Sequence, residues 1–440
     1  MKLILLSLWR SLRQSYWFIP GLMSLLAAGL VIGMLWLDAF LVQLGFSNAG
    51  LLPINDANGA RTMLSTIAGS SITVAGVVFS ITISVLANAS SQFGPRLLPN
   101  FMNKKGTQFV MGGFLGTFIY SLLLLSQIQS GSEEYAMPQY ALLLGLLLGI
   151  SSFVLLIYFI HNVAMFLHVP RILNDVYVDL RDTLAQCFPE QDDTEESAEK
   201  IAEYGEQKTV IPAASAGYLQ AIDYAELVAI ASRVDTCLDV RVLPGMFLLP
   251  NYVIACYSAH QQLDEDVHAD IQMAFLLGSE RTSFQDPEFA IDQIAEIAIR
   301  ALSPGINDPF TAINCIDKLA AAAAFLAERQ TAPTCLYDAD NKLRVRRVFY
   351  SYEGVLNKAF NPVRQHAAGT QAIYIRLLEV LNKLAELPLP ETYRDTLNSL
   401  AQVTYHDAMQ QVLSDSDKQD VEKRFAEFGN AGICISHKVG

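Results

Sequence analysis

Four long apolar stretches fill the first 168 residues, at about 17–37, 62–91, 107–128 and 139–166. Each reaches the roughly 20 residues that a helix needs to cross a hydrocarbon core. This part should therefore fold as a four-helix, polytopic transmembrane domain over 1–168, with the lipid bilayer as its first partner. The connections alternate in charge. Lys2, Arg10 and Arg13 precede the first stretch, Arg96, Lys104 and Lys105 lie between the second and third, and Arg171 follows the fourth. The other two connections carry Asp56 with Arg61, and then Glu133 with Glu134. Basic loops stay on the cytoplasmic side, so both the N- and C-termini are expected there. The first stretch is too long for a cleaved leader and lacks a small-x-small site, so it reads as a retained helix.

The remainder has another character. The chain is 52% hydrophobic with net charge −14, the part through His168 carrying +3 and the remainder −17. An acidic soluble part is a poor binder of phosphate backbones, which argues against a nucleic-acid partner. All six cysteines fall there too, with no CxxC pair, so they read as ordinary reduced thiols with no zinc or other metal site. Residues 169–208 read as a helix and an acidic linker. Residues 209–258 carry short alternating runs punctuated by Pro244-Gly245 and Pro250-Asn251, which suggests a small β-barrel or a pair of hairpins. The segment 259–440 reads as mainly helical, with helices at 287–302, 308–328, 353–387, 391–413 and 416–428. The fold class is thus an α-helical membrane domain followed by a mixed α+β, mostly helical cytoplasmic domain.

The second stretch is unlike the others. Thr66, Ser70, Thr73, Ser80, Ser84, Asn88 and Ser91 fall within about 40° of one line on a helix. Small hydroxylated residues let transmembrane backbones approach, so the stripe suits close packing. Packing is the commoner use of such residues, and the competing reading is a water-filled path lined by hydroxyls and one amide. Gly112 with Gly116, and Gly145 with Gly149, give two GxxxG spacings expected in seams inside the bundle. No Asp, Glu, Lys or Arg occupies the middle of a span, which disfavours a proton- or sodium-coupled carrier.

The clearest punctuated segment is Arg300-Ala-Leu-Ser-Pro-Gly-Ile-Asn-Asp-Pro-Phe-Thr-Ala312. One helix should end near Leu302, and Ser303, Pro304 and Gly305 should turn the chain. Asn307 or Asp308 should then cap the next helix, with Pro309 in its first turn. Capping accounts for every residue there. The free N–H groups of that helix also form a candidate anion site, with Arg281 or Arg300 nearby. His260, Asp264 and His268 share a helical face but sit in a solvated acidic run, so they read as surface rather than metal ligands. No Walker loop, GxSxG elbow, HExxH or GxGxxG motif is present, so no enzyme activity and no cofactor is expected.

Four runs carry a family resemblance: VVFSITISVLANASSQFGPRLLPNF at 77–101, GTFIY at 116–120, GSERTSFQD at 278–286 and RALSPGINDPFTA at 300–312. On these the chain resembles the bacterial membrane-protein family called domain of unknown function 2254. The resemblance covers nearly the whole chain and implies a multi-pass protein of the bacterial inner membrane. It implies no activity, substrate or catalytic residue. Two functions are expected on the residues. The first is a homo-oligomeric passive channel or transporter for ions or small solutes, lined or gated by the second helix and regulated by the cytoplasmic domain. The alternative is a membrane-anchored sensor or scaffold whose cytoplasmic domain binds a small molecule or a protein.

Overall fold

The computed structural model describes residues 17–44, 56–94, 96, 105–128, 137–166, 168–190, 208–258, 263–412 and 414–436. The charged residues Lys2, Arg10, Arg13, Lys104, Glu133 and Glu134, the linker after Glu190, and His260 lie outside these. The chain forms two compact units, one through His168 and one from Val169 onward.

The first unit contains helices α1 (Phe18–Gln43), α2 (Ala57–Phe93), α3 (Lys105–Gln127) and α4 (Gln139–Phe166). Asp56 caps α2 by accepting from Gly59 N at 2.9 Å, and Gly94 ends it at φ +106°. The α3 helix is the hub, packed against the other three. Its glycines allow this. A methyl group on Gly112 would lie 2.5 Å from Met23 Sδ of α1, and one on Gly116 would lie 3.6 Å from Ala27 Cβ. Gly145 faces Leu64 and Tyr120, and Gly149 faces Ile67. Two apolar clusters fill the bundle. Leu64, Tyr120, Leu124 and Leu142 form one, and Val78, Val110, Phe114 and Phe159 the other.

One end of this bundle is tied by polar contacts. The buried Asp38 of α1 accepts from Tyr140 N at 3.0 Å and Ala141 N at 2.9 Å, capping α4 from another helix. Tyr120 Oη donates to Ala141 O at 2.8 Å, and Arg61 Nη1 donates to Ile128 O at 3.1 Å.

The second unit opens with α5 (Val169–Cys187). There follow β1 (Lys208–Pro212), β2 (Gly217–Ile222), α6 (Tyr224–Arg233), β3 (Cys237–Val240), β4 (Phe247–Leu248), β5 (Val253–Ser258), α7 (Glu265–Met273) and β6 (Phe275–Gly278). Then come α8 (Pro287–Ala301), α9 (Pro309–Ala327), β7 (Cys335–Tyr337), β8 (Leu343–Arg347), α10 (Tyr352–Gln365), α11 (Gln371–Ala385), α12 (Glu391–Gln411) and α13 (Asp415–Ser436).

The small barrel expected over 209–258 is not formed. The strands make two open sheets, ordered β1-β5-β3-β8-β7 and β4-β2-β6. Most pairings are non-local, and β8 joins parallel to β3 from a hundred residues downstream. Alternation marks a strand but not its partner, so this closure was not readable locally. The helix expected over 353–387 is two helices, separated at His366–Thr370 where Gly369 takes φ +76°. Among the described residues, five helices are long and apolar enough to cross a membrane by length and composition, the four expected and α9. That helix carries five consecutive alanines, and it packs against α5, α8, α10 and α11 with Cys315, Ile316, Leu319 and Leu326 buried.

Candidate functional site

Two groups of residues were singled out by sequence, and the fold disposes of them differently. On α2 the stripe residues Thr66, Ser70, Thr73, Ser80, Ser84, Asn88 and Ser91 are all exposed. The residues that α2 buries are Ala60, Leu64, Ala68, Ser71, Ala75, Val78 and Ala89. The stripe is therefore not a seam within its own bundle. Gly69 and Gly76 lie on the same outward face, with no atom near where a side chain would project. Several hydroxyls are satisfied by their own helix. Thr66 donates to Thr62 O at 2.8 Å, Ser70 to Ile67 O at 3.0 Å and Thr73 to Gly69 O at 2.7 Å. The Asn88 amide oxygen accepts from Gln92 Nε2 at 3.3 Å.

The outward faces of α1 and α4 differ from this. They carry Leu25, Leu26, Trp36, Phe40, Phe153, Val154, Ile157 and Ile160, all exposed and large. Such faces suit lipid; α2 is mixed, exposing Ile72, Val77, Phe79, Ile81 and Ile83 as well as its hydroxyl and glycine stripe.

In the second unit the run at 300–312 forms a tight capped turn. Ser303 Oγ donates to Arg300 O at 2.6 Å, Asn307 N donates to Ser303 O at 2.9 Å, and Asp308 N donates to Ala301 O at 2.7 Å. Asn307 sits at φ +49°, a conformation its short amide tolerates. Asp308 caps α9, accepting from Thr311 N at 3.1 Å and from Thr311 Oγ1 at 2.6 Å. Its carboxylate thus occupies the place an anion would take. Pro304 and Gly305 are exposed at the tip. Arg300 pairs with Glu296 at 3.3 Å. Arg281 is not brought to this turn, because the length of α8, about 22 Å, lies between Asp286 and Leu302, its two end caps.

Arg281 instead joins a cluster at the start of α8. It contacts Asp286 at 2.7 Å and Asp292 at 3.0 Å, and Lys358 of α10 reaches Asp292 at 3.1 Å. Asp286 is almost fully buried and also caps α8 through Phe289 N at 3.1 Å. Burial raises the Asp286 carboxyl pKa against the pull of Arg281. Burial likewise raises Glu288, against Lys358. Gly245 makes the cluster possible. It has φ +89°, and a methyl group there would lie 2.2 Å from Asp286 Oδ2. Tyr350 Oη donates to Pro244 O at 2.6 Å, and Gln285 bonds both backbone groups of Ile222, so the loop is held from several sides. Sequence inspection missed this cluster, although Asp286-Pro287 is a recognisable helix start.

No group of acidic, His or Cys side chains able to hold a metal occurs among the described residues. His268 packs its ring on Tyr257 and shares a 3.1 Å contact with the Tyr257 hydroxyl. The thiols divide by burial. Cys187, Cys256 and Cys315 are buried, whereas Cys237 and Cys335 are partly open. Burial, with the Asp286 charge beside it, pushes Cys187 up to about 12. Brief alkylation of the folded protein with iodoacetamide at pH 8 is expected to mark Cys335 and spare Cys187 and Cys315 until denaturant is added. Peptide mass spectrometry reads this, and labelling of Cys187 as fast as Cys335 would contradict the buried position.

Comparison with known proteins agrees with the membrane character of the first unit. Uncharacterized proteins of Mycobacterium bovis and of Mycobacterium tuberculosis are each 27% identical to this chain over 366 residues. Each alignment covers 82% of this chain and 70% of the relative. No solved structure matches it. The profile of the family described as a predicted membrane protein, domain of unknown function 2254, matches residues 13–383, and the chain belongs to that family.

Proposed function

We propose that the protein is a homo-oligomeric passive channel or transporter for ions or small solutes, with α2 facing the shared path. One observation carries this reading: the hydroxyl and glycine stripe of α2 faces away from its own bundle, while the outward faces of α1 and α4 are lined by large apolar side chains. A polar helix face gains little from lipid and much from a second copy or from water. The spacing supports a common axis. Thr62, Thr66, Gly69, Thr73, Gly76 and Ser80 recur at alternating steps of four and three, the period that keeps one face toward neighbouring helices. Because several hydroxyls already bond their own carbonyls, the face needs no fixed partner and offers lone pairs to a passing solute.

In this reading α1–α4 cross the bacterial inner membrane with both termini in the cytoplasm, as the basic connections favour. The α9 helix stays in the core of the cytoplasmic unit, where Asp317 and Lys318 have partners in Arg376 and Asn174. No catalytic step is assigned. The test is conductance of the purified protein in planar bilayers. Ser84→Leu with Asn88→Leu is expected to lower unitary conductance severalfold or abolish it, because two of the exposed polar residues become bulky and apolar. Unchanged conductance in the folded double variant removes the pore from α2.

A second reading, the membrane-anchored sensor or scaffold, is favoured by one surface. Phe247, Leu249 and Tyr252 are exposed beside a cavity of about 180 Å³ lined by Leu248, Ile254, Phe275 and Leu277. A silent bilayer together with small-molecule or protein binding at that surface would select it.

A further inference from the structure

The β1–β2 connection, Ala213-Ala214-Ser215-Ala216, is built from small residues where the two sheets of the second unit meet. Leu248 of β4, with Phe275 and Leu277 of β6, comes from the three-stranded sheet, and Ile254 of β5 comes from the five-stranded one. Between these walls and the small residues lies a cavity of about 180 Å³.

The space has a fixed frame. Ala213 N donates to Tyr252 O at 2.7 Å, and Asn251 N donates to Ala213 O at 3.2 Å. Gln272 Nε2, at the end of α7, donates to Pro212 O at 2.7 Å. The β1–β2 connection is thus tied to both the β4–β5 turn and α7, and the cavity is preformed. An unfilled gap between packed apolar walls lowers stability in proportion to its volume. A larger side chain at the exposed Ala214 could fill this one at little cost, yet the sequence keeps alanine.

The lining sets the class of ligand. Leu248, Ile254 and Phe275 are buried, and Phe275 offers a ring edge or face to another ring. Ala214 and Ser215 are the exposed members of the lining, so the opening lies on their side. The half-buried Gln272 spends its amide nitrogen on Pro212, and its Oε1 accepts from no protein donor among the described residues. A stable internal water needs two to four polar partners, whereas an apolar cavity of about 150 Å³ stays dry and admits benzene. The volume fits one aromatic ring and is too small for a lipid chain or a peptide. Apolar walls with one placed acceptor are the usual make-up of a small-molecule site.

We propose that this cavity binds a small single-ring aromatic molecule of the phenol class, with its ring against Leu248, Ile254 and Phe275 and its hydroxyl donating to Gln272 Oε1. This deepens the sensor reading and rests on it for its consequence, a soluble small molecule as the sensed signal. Phe247, Leu249 and Tyr252 lie outside the lining, so protein binding at that surface holds or fails separately.

The test is methyl NMR of the full chain in detergent, labelled at isoleucine δ1 methyls and titrated with phenol or with its isostere toluene. Ile254→Val assigns the reporter, and Ile373, buried in α11, is the remote control. Ring currents should shift the Ile254 methyl saturably, with half-saturation at or below about 1 mM, while Ile373 stays still. Ala214→Phe should abolish the shift with Ile373 unmoved, which shows that the fold is kept. Gln272→Leu should weaken phenol about fivefold through the lost hydrogen bond and leave toluene unaffected or tighter. A silent Ile254 methyl, or a shift that survives Ala214→Phe, overturns the site. Equal weakening of phenol and toluene by Gln272→Leu overturns the role of the amide and with it the phenol class.

Discussion

Replacing Asp286 by Ala is expected to cost about 3 kcal/mol of unfolding free energy, a fall of roughly 8 °C in the melting of the second unit. Three losses combine. Arg281, with its side chain 21% exposed, keeps only Asp292 as a close carboxylate. The α8 N-terminus loses its cap at Phe289 N. The space beneath Gly245 empties. Asp286→Asn separates these effects, because an amide caps nearly as well and fills the same volume but carries no charge. Its deficit should be smaller and should report the ion pair. Adding Arg281→Met to Asp286→Asn should recover part of it, since a buried pair is expensive to break on one side only. Gly245→Ala approaches the same problem from the other side, with a strained φ and a clash against a carboxylate that cannot swing away. The pH dependence has a definite sign. The folded-state pKa values of Asp286 and Glu288 are raised, so acidification through them favours the folded state until the unfolded carboxyl range near 4 is reached. Asp286→Asn should flatten that slope. Calorimetry across this range checks both statements.

These residues also show what a one-dimensional pattern can and cannot tell. Arg281 was named, with Arg300, as a cation near the 303–308 turn. The fold sends it to the opposite end of α8, where Asp286 and Pro287 start the helix. The stripe on α2 was fully legible as a set of residues sharing one face, since a helix has one period. Which way that face points was not legible, because it depends on where α3 and α4 pack. The turn at Ser303–Asp308 was readable as a helix end followed by a capped helix start, because capping is local chemistry, although which of Asn307 and Asp308 caps was left open. The sheets were not, because β1, β3 and β8 find partners far along the chain.

The membrane unit has its own test of non-local chemistry in Asp38. This carboxylate sits near the end of α1, yet the N–H groups it accepts from belong to α4, over a hundred residues away. Removing it by Asp38→Ala leaves the N–H groups of Tyr140 and Ala141 without their acceptor, in a place where water is scarce. Hydrogen bonds to a charged acceptor are worth about 1.5–3 kcal/mol each, and the loss of a helix cap alone about 1 kcal/mol. Because the two bonds share one carboxylate, the combined cost is set at about 3 kcal/mol rather than their sum. Asp38→Asn keeps one acceptor oxygen and should lose about a third of that. Tyr120→Phe removes only the bond to Ala141 O and should cost about 1 kcal/mol. The ordering Asp38→Ala, then Asp38→Asn and Tyr120→Phe together, is the discriminating result, read as melting of the purified protein in detergent. The Leu64–Tyr120–Leu142 cluster lies just beneath this clamp. If Asp38→Ala melts with the unsubstituted protein, that cluster alone holds the first and fourth helices together, and the carboxylate is incidental to the bundle.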